Sequence, residues 1–532
     1  MATCWVNGKI RGHWLDLSKT DLTTKSNTTD ASTISLKTRG VSALLRSTAL
    51  TLFAVLSTQM TAEAKSKKLP SNFQPSISHI DFGRPEFRHS PQAKRIFDDI
   101  NRREIHLLEK AQWMSLDNAI HTALANNPDL TAAYTEIEGK RWSVIAARRR
   151  WYPTLFIEPG QDSTLQFGSQ DASNANPGLS NLNQYINTTA TLEWTFFDPS
   201  RSSAINASIS DLTAQRLLFD VAARNLVLEV QSSYYRVQEQ MRLVDQYRLI
   251  ALLASRLLDN AVGDQRRGIA DPNEVAQLRT TQHAQIRYLI DAYTSLYQAS
   301  IELSRVLGLP TNSIVLASDS AASEANWNED LDSTITHAEK FREEIIAALQ
   351  LSQAERWRSS QLLREYWPKF SLLGVETVEA GDSSRTLGLG VKWSLYDGGI
   401  NAADAANRRI ASQTYALKSQ SSRLQVSAEV RQAHSRFIGA SLNVDNSMAE
   451  VVDSWNAFYG AIKLFGSNQV NATTLIQTQA QLVNAITDFE MAQRIRNTGL
   501  AELYRYSARW PSNVQGLFEK RVSQLQRHGI NP

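Results

Sequence analysis

The fold is decided by residues 200–262, SRSSAINASISDLTAQRLLFDVAARNLVLEVQSSYYRVQEQMRLVDQYRLIALLASRLLDNAV, a stretch of 63 residues without glycine or proline. Because neither helix-breaking residue interrupts it, the stretch is predicted to form one continuous helix. At about 1.5 Å per residue this helix is roughly 95 Å long, several times the width of an ordinary domain. A helix of that length is expected to span a distance.

One face of this helix carries the pattern of a coiled-coil seam. Its positions alternate between spacings of four and three residues, and eleven of the thirteen are apolar or aromatic. The pattern predicts close packing against another helix rather than one side of a compact bundle. The thirteen positions are Phe219, Ala223, Leu226, Val230, Ser233, Val237, Gln240, Val244, Tyr247, Ala251, Ala254, Leu258 and Ala261.

Composition and motifs exclude several classes of function. A net charge of +3 over 532 residues is too balanced for a nucleic-acid-binding protein. The only cysteine is Cys4, which rules out disulfides within one chain and thiolate metal clusters. The sequence has no H-E-x-x-H, no G-x-x-x-x-G-K-[ST] and no G-x-S-x-G motif. No catalytic, cofactor-binding or metal site is predicted, and the protein is not expected to be an enzyme.

The N-terminal region has the three parts of a secretory signal peptide. Basic residues up to Arg46 precede a short apolar stretch at 47–57, and an A-x-A cleavage pattern ends at Ala64. Residues 1–34 form a long leader or reflect a misassigned start codon. The alternative is a cytosolic protein with a chance apolar patch. After Ala64 no run of 18 apolar residues occurs, so no transmembrane helix is predicted.

The rest of the chain consists of two similar halves. The sequence LEWTFFD at 192–198 is echoed by VKWSLYD at 391–397, and WYP at 151–153 is echoed by YWP at 366–368. Each echo lies at the same place in its half, between a helical pattern and a very long helix. A duplication of this length is a property of the whole fold and is interpreted before any single motif.

Three further stretches without glycine or proline predict the remaining long helices: 273–307, 400–438 and 467–498. Each very long helix is followed by a shorter return helix, which gives two antiparallel helical hairpins per chain. Their mixture of Ala, Ser, Thr, Gln and Leu suits helices packed around a hydrated lumen. The two turns, which begin at Gly268 and Asn468, align at an offset of 200 residues.

Short strands at 189–196 and 387–396, within the aromatic echoes, alternate between apolar and polar residues, as lipid-facing strands of a transmembrane β-barrel do. Strands 153–159 and 369–377 are the predicted partners, and the polar loop 161–186 is expected on the extracellular side. Soluble hairpins packed on one face are the alternative. The residues predicted to face lipid are Leu192, Trp194, Phe196, Leu389, Val391, Trp393 and Leu395.

Four strands are too few to close a barrel, and an open edge in lipid leaves backbone groups unpaired. Closure therefore requires other copies of the chain. Two copies supply eight strands, and side chains would fill the interior of a barrel of that size. Three copies supply twelve strands, which leave a passage. We favour a cyclic trimer.

With these features the sequence resembles the TolC-like outer-membrane efflux proteins. The resemblance rests on the duplicated halves, the aromatic-Pro entries, the aromatic strands and the two tip sequences. It implies a mainly α fold with a small β part: a trimeric α-barrel of long hairpins and a shared twelve-stranded barrel. It further implies a cell outer-membrane location with the helical part in the periplasm. The implied partners are a periplasmic adaptor (membrane fusion protein) and an inner-membrane transporter.

The resemblance also assigns residues at the periplasmic end. Matching residues 482–485 to the family places two gate aspartates at Thr474 and Gln477, neither of which is acidic. Asp271 and Glu274 of the first hairpin are the alternative source of charge, although helix capping explains Asp271 equally well. The tip residues implied to dock the adaptor are Gly268, Ile269, Ala270, Asn468, Gln469, Val470 and Asn471.

The function expected from the sequence is a passive exit duct of an efflux or type I secretion system. A periplasmic or cytosolic coiled-coil scaffold is the alternative, whereas the adaptor itself is disfavoured by the twofold repeat. The predicted organisation is a leader and signal peptide (1–64), an N-terminal extended segment (65–112), a first repeat (113–310), a connecting equatorial segment (311–334), a second repeat (335–510) and a C-terminal tail (511–532).

Overall fold

The computed structural model describes residues 87–161, 186–310, 312–320, 326–379, 382–467, 469–511 and 514–528. The predicted signal peptide and most of the predicted 161–186 loop lie outside the described residues. The elements, in chain order, are α1 (Pro91–Lys110), β1 (Gln112–Met114), α2 (Leu116–Asn126), α3 (Pro128–Arg149), β2 (Thr154–Gln161), β3 (Ile186–Phe197), α4 (Ser200–Arg266), α5 (Pro272–Val306), β4 (Val315–Ala317), α6 (Leu331–Phe341), α7 (Glu343–Arg364), β5 (Lys369–Glu379), β6 (Asp382–Lys392), α8 (Ile400–Gly466), α9 (Ala472–Tyr506) and α10 (Val514–His528).

The predicted duplication is present in the long helices, whose lengths in the two repeats agree to the residue. Helices α4 and α8 each have 67 residues, and the return helices α5 and α9 each have 35. All eleven apolar positions of the predicted α4 seam are buried, and its two polar positions, Ser233 and Gln240, are partly buried. The mainly helical fold with two long hairpins is therefore confirmed.

Helix α8 continues 28 residues past its predicted end at Ile438, through Gly439 and Gly460. A Cβ at either glycine would meet nothing within 4 Å, so neither marks a close approach of another element. A glycine inside a helix costs about 1 kcal/mol relative to alanine. Packing along the rest of a 67-residue helix offsets that cost.

The long helices lie side by side. Toward the hairpin tips the order is α5, α4, α9, α8, and toward the sheet the order is α3, α4, α7, α8. The buried faces of α4 and α8 therefore pack on different neighbouring helices in the two halves of each helix. Helices α4 and α9 join the two repeats at the tip end, and α4 and α7 join them at the sheet end.

The sheet has four antiparallel strands in the order β2-β3-β5-β6. Each repeat anchors its hairpin in the same way. The Trp194 indole donates to the Trp151 carbonyl at 3.0 Å, and the Trp393 indole donates to the Tyr366 carbonyl at 2.9 Å. These bonds hold the last part of each β-hairpin against the residues that precede its first strand.

Two predictions about elements were wrong. The last strand, expected over 387–396, ends at Lys392, so Trp393 and Leu395 lie beyond β6. The Trp393 indole, just past the strand, donates to the Tyr366 carbonyl. The N-terminal segment, expected to be extended, contains helix α1, whose buried residues Phe97, Ile100 and Leu107 join the main core.

A small parallel pairing of β1 with β4 joins the N-terminal segment to the connection between the repeats. The Ser300 hydroxyl of α5 donates to the Val315 carbonyl at 2.8 Å, and the Val315 N–H donates to the same hydroxyl at 3.0 Å. The sequence pattern did not indicate this pairing, because three-residue strands carry no measurable alternation.

Gly308, directly after α5, is a position that requires glycine. Its φ is +69°, and an added Cβ would lie 2.6 Å from the Asn126 carbonyl oxygen. We expect Gly308→Ala to lower the free energy of unfolding by about 2 kcal/mol or more, from strain and clash together. Guanidinium titration of the purified protein measures the change.

Gly139→Ala is the matched control, because a Cβ there meets nothing within 4 Å in the middle of α3. This change should stabilise the protein by up to about 1 kcal/mol. An equal change in the free energy of unfolding for the two variants would contradict the close approach of Gly308 to the α2–α3 junction.

Candidate functional site

The sheet carries an apolar band on one face. Cross-strand neighbours of β3, β5 and β6 place Trp194, Leu372 and Leu389 in one row, and Leu192, Gly374 and Leu387 in the next. Leu387 and Leu389 are 75% and 78% exposed. Such exposure of large apolar side chains indicates a surface that meets lipid or another protein.

The band has polar limits at both ends. Toward the strand ends distant from the helices, Glu376 and Arg385 form an ion pair at 2.8 Å. Toward the helices, the Trp194 and Trp393 indoles contact backbone carbonyls. An apolar band bordered by amphipathic aromatic residues is typical of lipid-facing strands at a membrane interface.

The sequence identified the exposed residues of β3 and β6 but missed those of the other two strands. Leu192, Trp194, Phe196, Leu389, Val391, Trp393 and Leu395 are all exposed, the last two just past β6. Residues on β2 and β5 were missed because Phe156 and Leu373 interrupt the alternation on the opposite face. The missed members of the band are Leu155, Ile157, Phe370 and Leu372.

The first hairpin tip turns through Gly268, whose φ is +75°. The Ile269 N–H donates to the Asp264 carbonyl at 2.9 Å, which closes the end of α4. The Asp271 carboxylate then accepts from the Asn273 N–H at 3.0 Å and caps α5. The capping role of Asp271 was one of its two predicted readings.

The second tip repeats this arrangement 200 residues later. The Gln469 N–H donates to the Leu464 carbonyl at 2.9 Å. The Asn471 side-chain oxygen accepts from the Thr474 N–H and hydroxyl, both at 2.9 Å. Asn468 lies outside the described residues. Ile269 and Gln469 are exposed, whereas Ala270 and Val470 are partly buried.

Of the four predicted gate residues, Thr474, Gln477 and Asp271 are exposed and Glu274 is partly buried. Thr474 and Gln477 share one face of α9, which continues with exposed polar residues at 481, 484 and 488. The tips of α5 and α9 meet through the Thr473 hydroxyl and the Gln277 side-chain oxygen at 3.4 Å. Whether the four residues together line a constriction stays a prediction.

The interface between the two hairpins, where α4 packs on α9, contains buried polar groups that the sequence did not reveal. The Tyr247 and Thr487 hydroxyls lie 2.7 Å apart, and Arg494 contacts Glu239 at 2.9 Å. Glu490 is buried with the Arg242 guanidinium at 3.6 Å. Burial raises the pKa of Glu490 to about 7, and Arg242 offsets part of that rise.

This carboxyl makes stability depend on pH. Between its ordinary pKa near 4.5 and its folded pKa of about 7, the folded state keeps a proton that the unfolded state has released. Stability therefore falls as pH rises through this window. We expect Glu490→Gln to remove the part of this fall that Glu490 contributes and to stabilise the protein at pH 8 by on the order of 2 kcal/mol. Unfolding titrations at pH 5 and pH 8 measure the difference.

Asp488→Asn, at an exposed position two residues earlier, should leave the pH dependence unchanged. A Glu490→Gln variant that still loses stability between pH 5 and pH 8 as the parent does would contradict the assignment.

The outer side of α8 exposes a second apolar pattern that the sequence analysis missed. Ile410, Leu417 and Leu424 follow one another at seven-residue spacing and are 62%, 65% and 74% exposed. Ile438 continues the series after Arg431. A heptad spacing on an exposed helix face is the pattern of a coiled-coil seam without its partner.

Within the described ranges, no helix combines the length and the apolar character needed to cross a bilayer. The same ranges contain no group of three or more His, Cys, Asp or Glu side chains arranged to hold a metal ion.

Comparisons with known proteins agree with this geometry. Residues 119–309 match the family model described as outer membrane efflux protein. A search of curated protein sequences finds no match. Among the solved structures that share the fold are CusC, described in terms of transmembrane channel formation, and the outer-membrane channels CmeC of Campylobacter jejuni and MtrE of Neisseria gonorrhoeae.

CusC has 15% identity and a TM-score of 0.63, covering 75% of this chain and 93% of its own. CmeC has 14% identity and a TM-score of 0.63, covering 78% and 90%. MtrE has 15% identity and a TM-score of 0.60, covering 74% and 89%. The predicted resemblance is confirmed: residues 119–309 carry the sequence pattern of the outer membrane efflux proteins, and the chain has the fold of the TolC-like outer-membrane channels.

Proposed function

We propose that this protein is the outer-membrane channel of a tripartite efflux or type I secretion system. Three copies would form a closed duct that spans the outer membrane with its sheets and the periplasm with its helices. Substrates would be delivered by an inner-membrane pump through a periplasmic adaptor, and the duct itself would carry out no chemistry. The observation that carries the proposal is the exposed apolar band on a sheet with two open edges.

The open edges support assembly from several copies. Strands β2 and β6 each pair on one side only within the described sheet. In lipid an unpaired strand edge costs several kcal/mol per backbone group, so the edge of one copy would pair with that of the next. Three copies supply twelve strands, which leave room for a passage.

The helices support the same assembly. The exposed heptad residues Ile410, Leu417 and Leu424 lie on α8, which is the last helix in the lateral order. The first helix of the next copy at the sheet end, α3, would cover them. Sheet and helices thus both leave their lateral contacts incomplete within the described part of a single chain.

The test is the mass of the purified protein in detergent together with its conductance in planar bilayers. A trimer that conducts supports the proposal. A water-soluble monomer would contradict it and favour the coiled-coil scaffold instead.

The entrance is proposed at the hairpin tips, with Thr474 and Gln477 facing the passage. We expect Thr474→Asp combined with Gln477→Asp to introduce block of the current by divalent cations, because three copies would place six carboxylates around a narrow opening. The acid at 474 is tolerated because it lies in the first turn of α9. Single-channel recordings with and without millimolar Mg²⁺ measure the block.

Gln481→Asp, one helical turn further along the same face, serves as the control and should be blocked less. Equal currents in the double variant and the parent, with and without Mg²⁺, would mean that these side chains do not line the constriction.

A further inference from the structure

The corner between α3 and β2 carries three consecutive arginines, Arg148, Arg149 and Arg150, and all three are exposed. Backbone hydrogen bonds fix the turn that follows them. The Trp151 N–H donates to the Arg148 carbonyl at 3.1 Å. The Tyr152 N–H donates to the Arg149 carbonyl at 2.9 Å. The three side chains therefore project from one short, ordered turn, and we call them the arginine corner.

The arginine corner lies at the border of the apolar band. Trp151 directly follows Arg150, and its carbonyl accepts a hydrogen bond from the Trp194 indole of the band at 3.0 Å. Trp151 and Tyr152 are 41% and 70% exposed. Exposed tryptophan and tyrosine side chains at the edge of a lipid-facing surface lie at the level of the headgroups. The guanidinium groups beside them reach the same level, because long basic side chains extend toward the polar side of the interface.

The three side chains cover the end of α3 on several sides. Successive residues of a helix are about 100° apart, so three of them span about 200° around its axis. Whichever side of α3 faces the bilayer, at least one guanidinium group therefore lies on that side.

No carboxylate of the described residues forms an ion pair with the arginine corner. The nearest acids along the chain have other partners. Glu138 lies 3.6 Å from Arg141, and Asp198 lies 3.7 Å from Arg201. Burial lowers the pKa of Arg201, Asp198 opposes that change, and the positive charge of Arg150 lowers the pKa further. The corner is thus a concentration of positive charge without a neutralising group.

The second repeat has the same corner without this charge. The echo of WYP by YWP aligns the arginine corner with Leu363, Arg364 and Glu365. Arg364 donates to the Ser202 hydroxyl at 2.8 Å, and it alone supplies α7 with the basic residue that favours a helix C-terminus. Glu365 binds the Lys369 ammonium at 2.5 Å. The indole-to-carbonyl bond that anchors the hairpin forms in both repeats, so the fold does not require three unpaired cations here.

We propose that the arginine corner binds the phosphate of an anionic phospholipid in the leaflet at the helix end of the sheet. This inference rests on the proposed function, which places the sheet in lipid. A guanidinium group offers two parallel N–H donors that match two phosphate oxygens. Three copies would place nine arginines around the barrel, and basic clusters next to a bilayer attract anionic lipids.

A second copy of the chain accounts for the arginines less well. Because β2 is an edge strand, its corner would lie near the end of β6 and the start of α8 in the next copy. Two carboxyls lie there, Asp397 and Asp404. Asp397 already accepts from the Tyr366 hydroxyl at 2.8 Å and from the Gly399 N–H at 2.9 Å. Asp404 is exposed, but one carboxylate neutralises only one of the three charges.

Native mass spectrometry of the purified full chain tests the lipid preference. The chain in detergent is titrated with phosphatidylglycerol and, separately, with phosphatidylcholine of the same acyl chains. We expect the parent to bind phosphatidylglycerol at least tenfold more tightly. Arg148→Gln, Arg149→Gln and Arg150→Gln together should reduce that ratio to less than threefold. Equal affinity of the parent for the two lipids overturns the inference without any variant.

A control variant removes the same charge elsewhere. Arg279→Gln, Lys418→Gln and Arg423→Gln replace exposed cations of α5 and α8 that lie far from the sheet. This variant should keep the tenfold preference. If the ratio falls equally in both triple variants, the preference follows total charge and the inference is wrong. An unchanged ratio in the arginine-corner variant is equally contrary to it.

Two further measurements distinguish a lipid from other partners of the corner. Millimolar glycerol phosphate should displace no bound phosphatidylglycerol, and displacement would favour a soluble phosphate ligand instead. The arginine-corner variant should remain a trimer. If it loses trimers while the remaining trimers keep the parent ratio, the arginines serve the contact between copies, and the inference is overturned.

Conductance separates this inference from the proposed function. Trimers that conduct but bind both lipids equally would refute the lipid site alone. A protein that neither trimerises nor conducts would refute the proposed function.

Discussion

Replacing Leu389 and Val391 by lysine is expected to abolish insertion of the sheet into the outer membrane. Both side chains are largely exposed in the middle of the apolar band, 78% and 62%. A lysine on the lipid face of a β-barrel costs about 2–4 kcal/mol at the bilayer midplane. The double variant carries that cost twice per chain and, in a trimer, six times. Fractionation of membranes, followed by a heat-modifiability assay for the trimer, measures the effect.

Lysines on the opposite face provide the control. Ser384 and Thr386 of the same strand point away from the band, because successive residues of a strand alternate between faces. Ser384→Lys with Thr386→Lys should insert normally and change only ion selectivity. If both double variants insert equally well, the band does not face lipid, and a soluble arrangement of the hairpins is favoured.

Truncation of Arg224 is expected to be the most destabilising single change in the helical part. Arg224 is buried and contacts Glu343 at 2.8 Å and the Arg509 carbonyl at 2.9 Å, and its guanidinium lies 4.2 Å from the Trp510 ring centre. It thereby joins α4 of the first repeat to α7 and to the chain after α9. Removing one partner of a buried ion pair typically costs about 3–5 kcal/mol.

A second acid increases the effect of Arg224→Ala. Burial, together with the nearby Glu343 charge, raises the pKa of Asp220 to about 6, while Arg224 opposes that rise. Without the guanidinium two buried carboxyls lose their cation. The loss in unfolding free energy should therefore be smaller at pH 5, where protonation of Asp220 relieves part of it, than at pH 8. Guanidinium titrations at both pH values measure the difference.

Arg305→Ala is the matched control. Arg305 binds Glu229 at 2.8 Å and Glu302 at 2.7 Å, but its side chain is 57% exposed. Exposed ion pairs contribute about 0–1 kcal/mol, so this variant should unfold nearly as the parent does. A similar loss in the two variants would mean that burial is not what makes Arg224 important.

The helical hairpins could be predicted from sequence because long helices depend on local properties. An uninterrupted stretch without glycine or proline and a regular seam predicted α4 almost to its ends. The bounds of α8 could not be obtained in the same way, since Gly439 and Gly460 are tolerated inside it. Helix α1 was missed although Ala93, Phe97 and Ile100 have helical spacing, because polar residues dominate that segment.

The site was less predictable than the fold. The exposed apolar residues of β3 and β6 follow from strict alternation, whereas those of β2 and β5 required the strand register. The contacts that join the two repeats, such as Arg224 with Glu343 and Arg242 with Glu490, connect residues more than a hundred positions apart. Only the packing of the helices brings these side chains together.

The equal lengths of the paired helices limit how this protein changes size. Inserting one residue into α4 alone would rotate everything below it by about 100° and separate the two tips in height. Lengthening the helical hairpins therefore requires whole heptads, added to all four hairpin helices at once. Natural relatives with longer or shorter hairpins should differ by a multiple of seven residues, and the same change should occur in each of the four hairpin helices. A single unmatched insertion should be absent from every functional member.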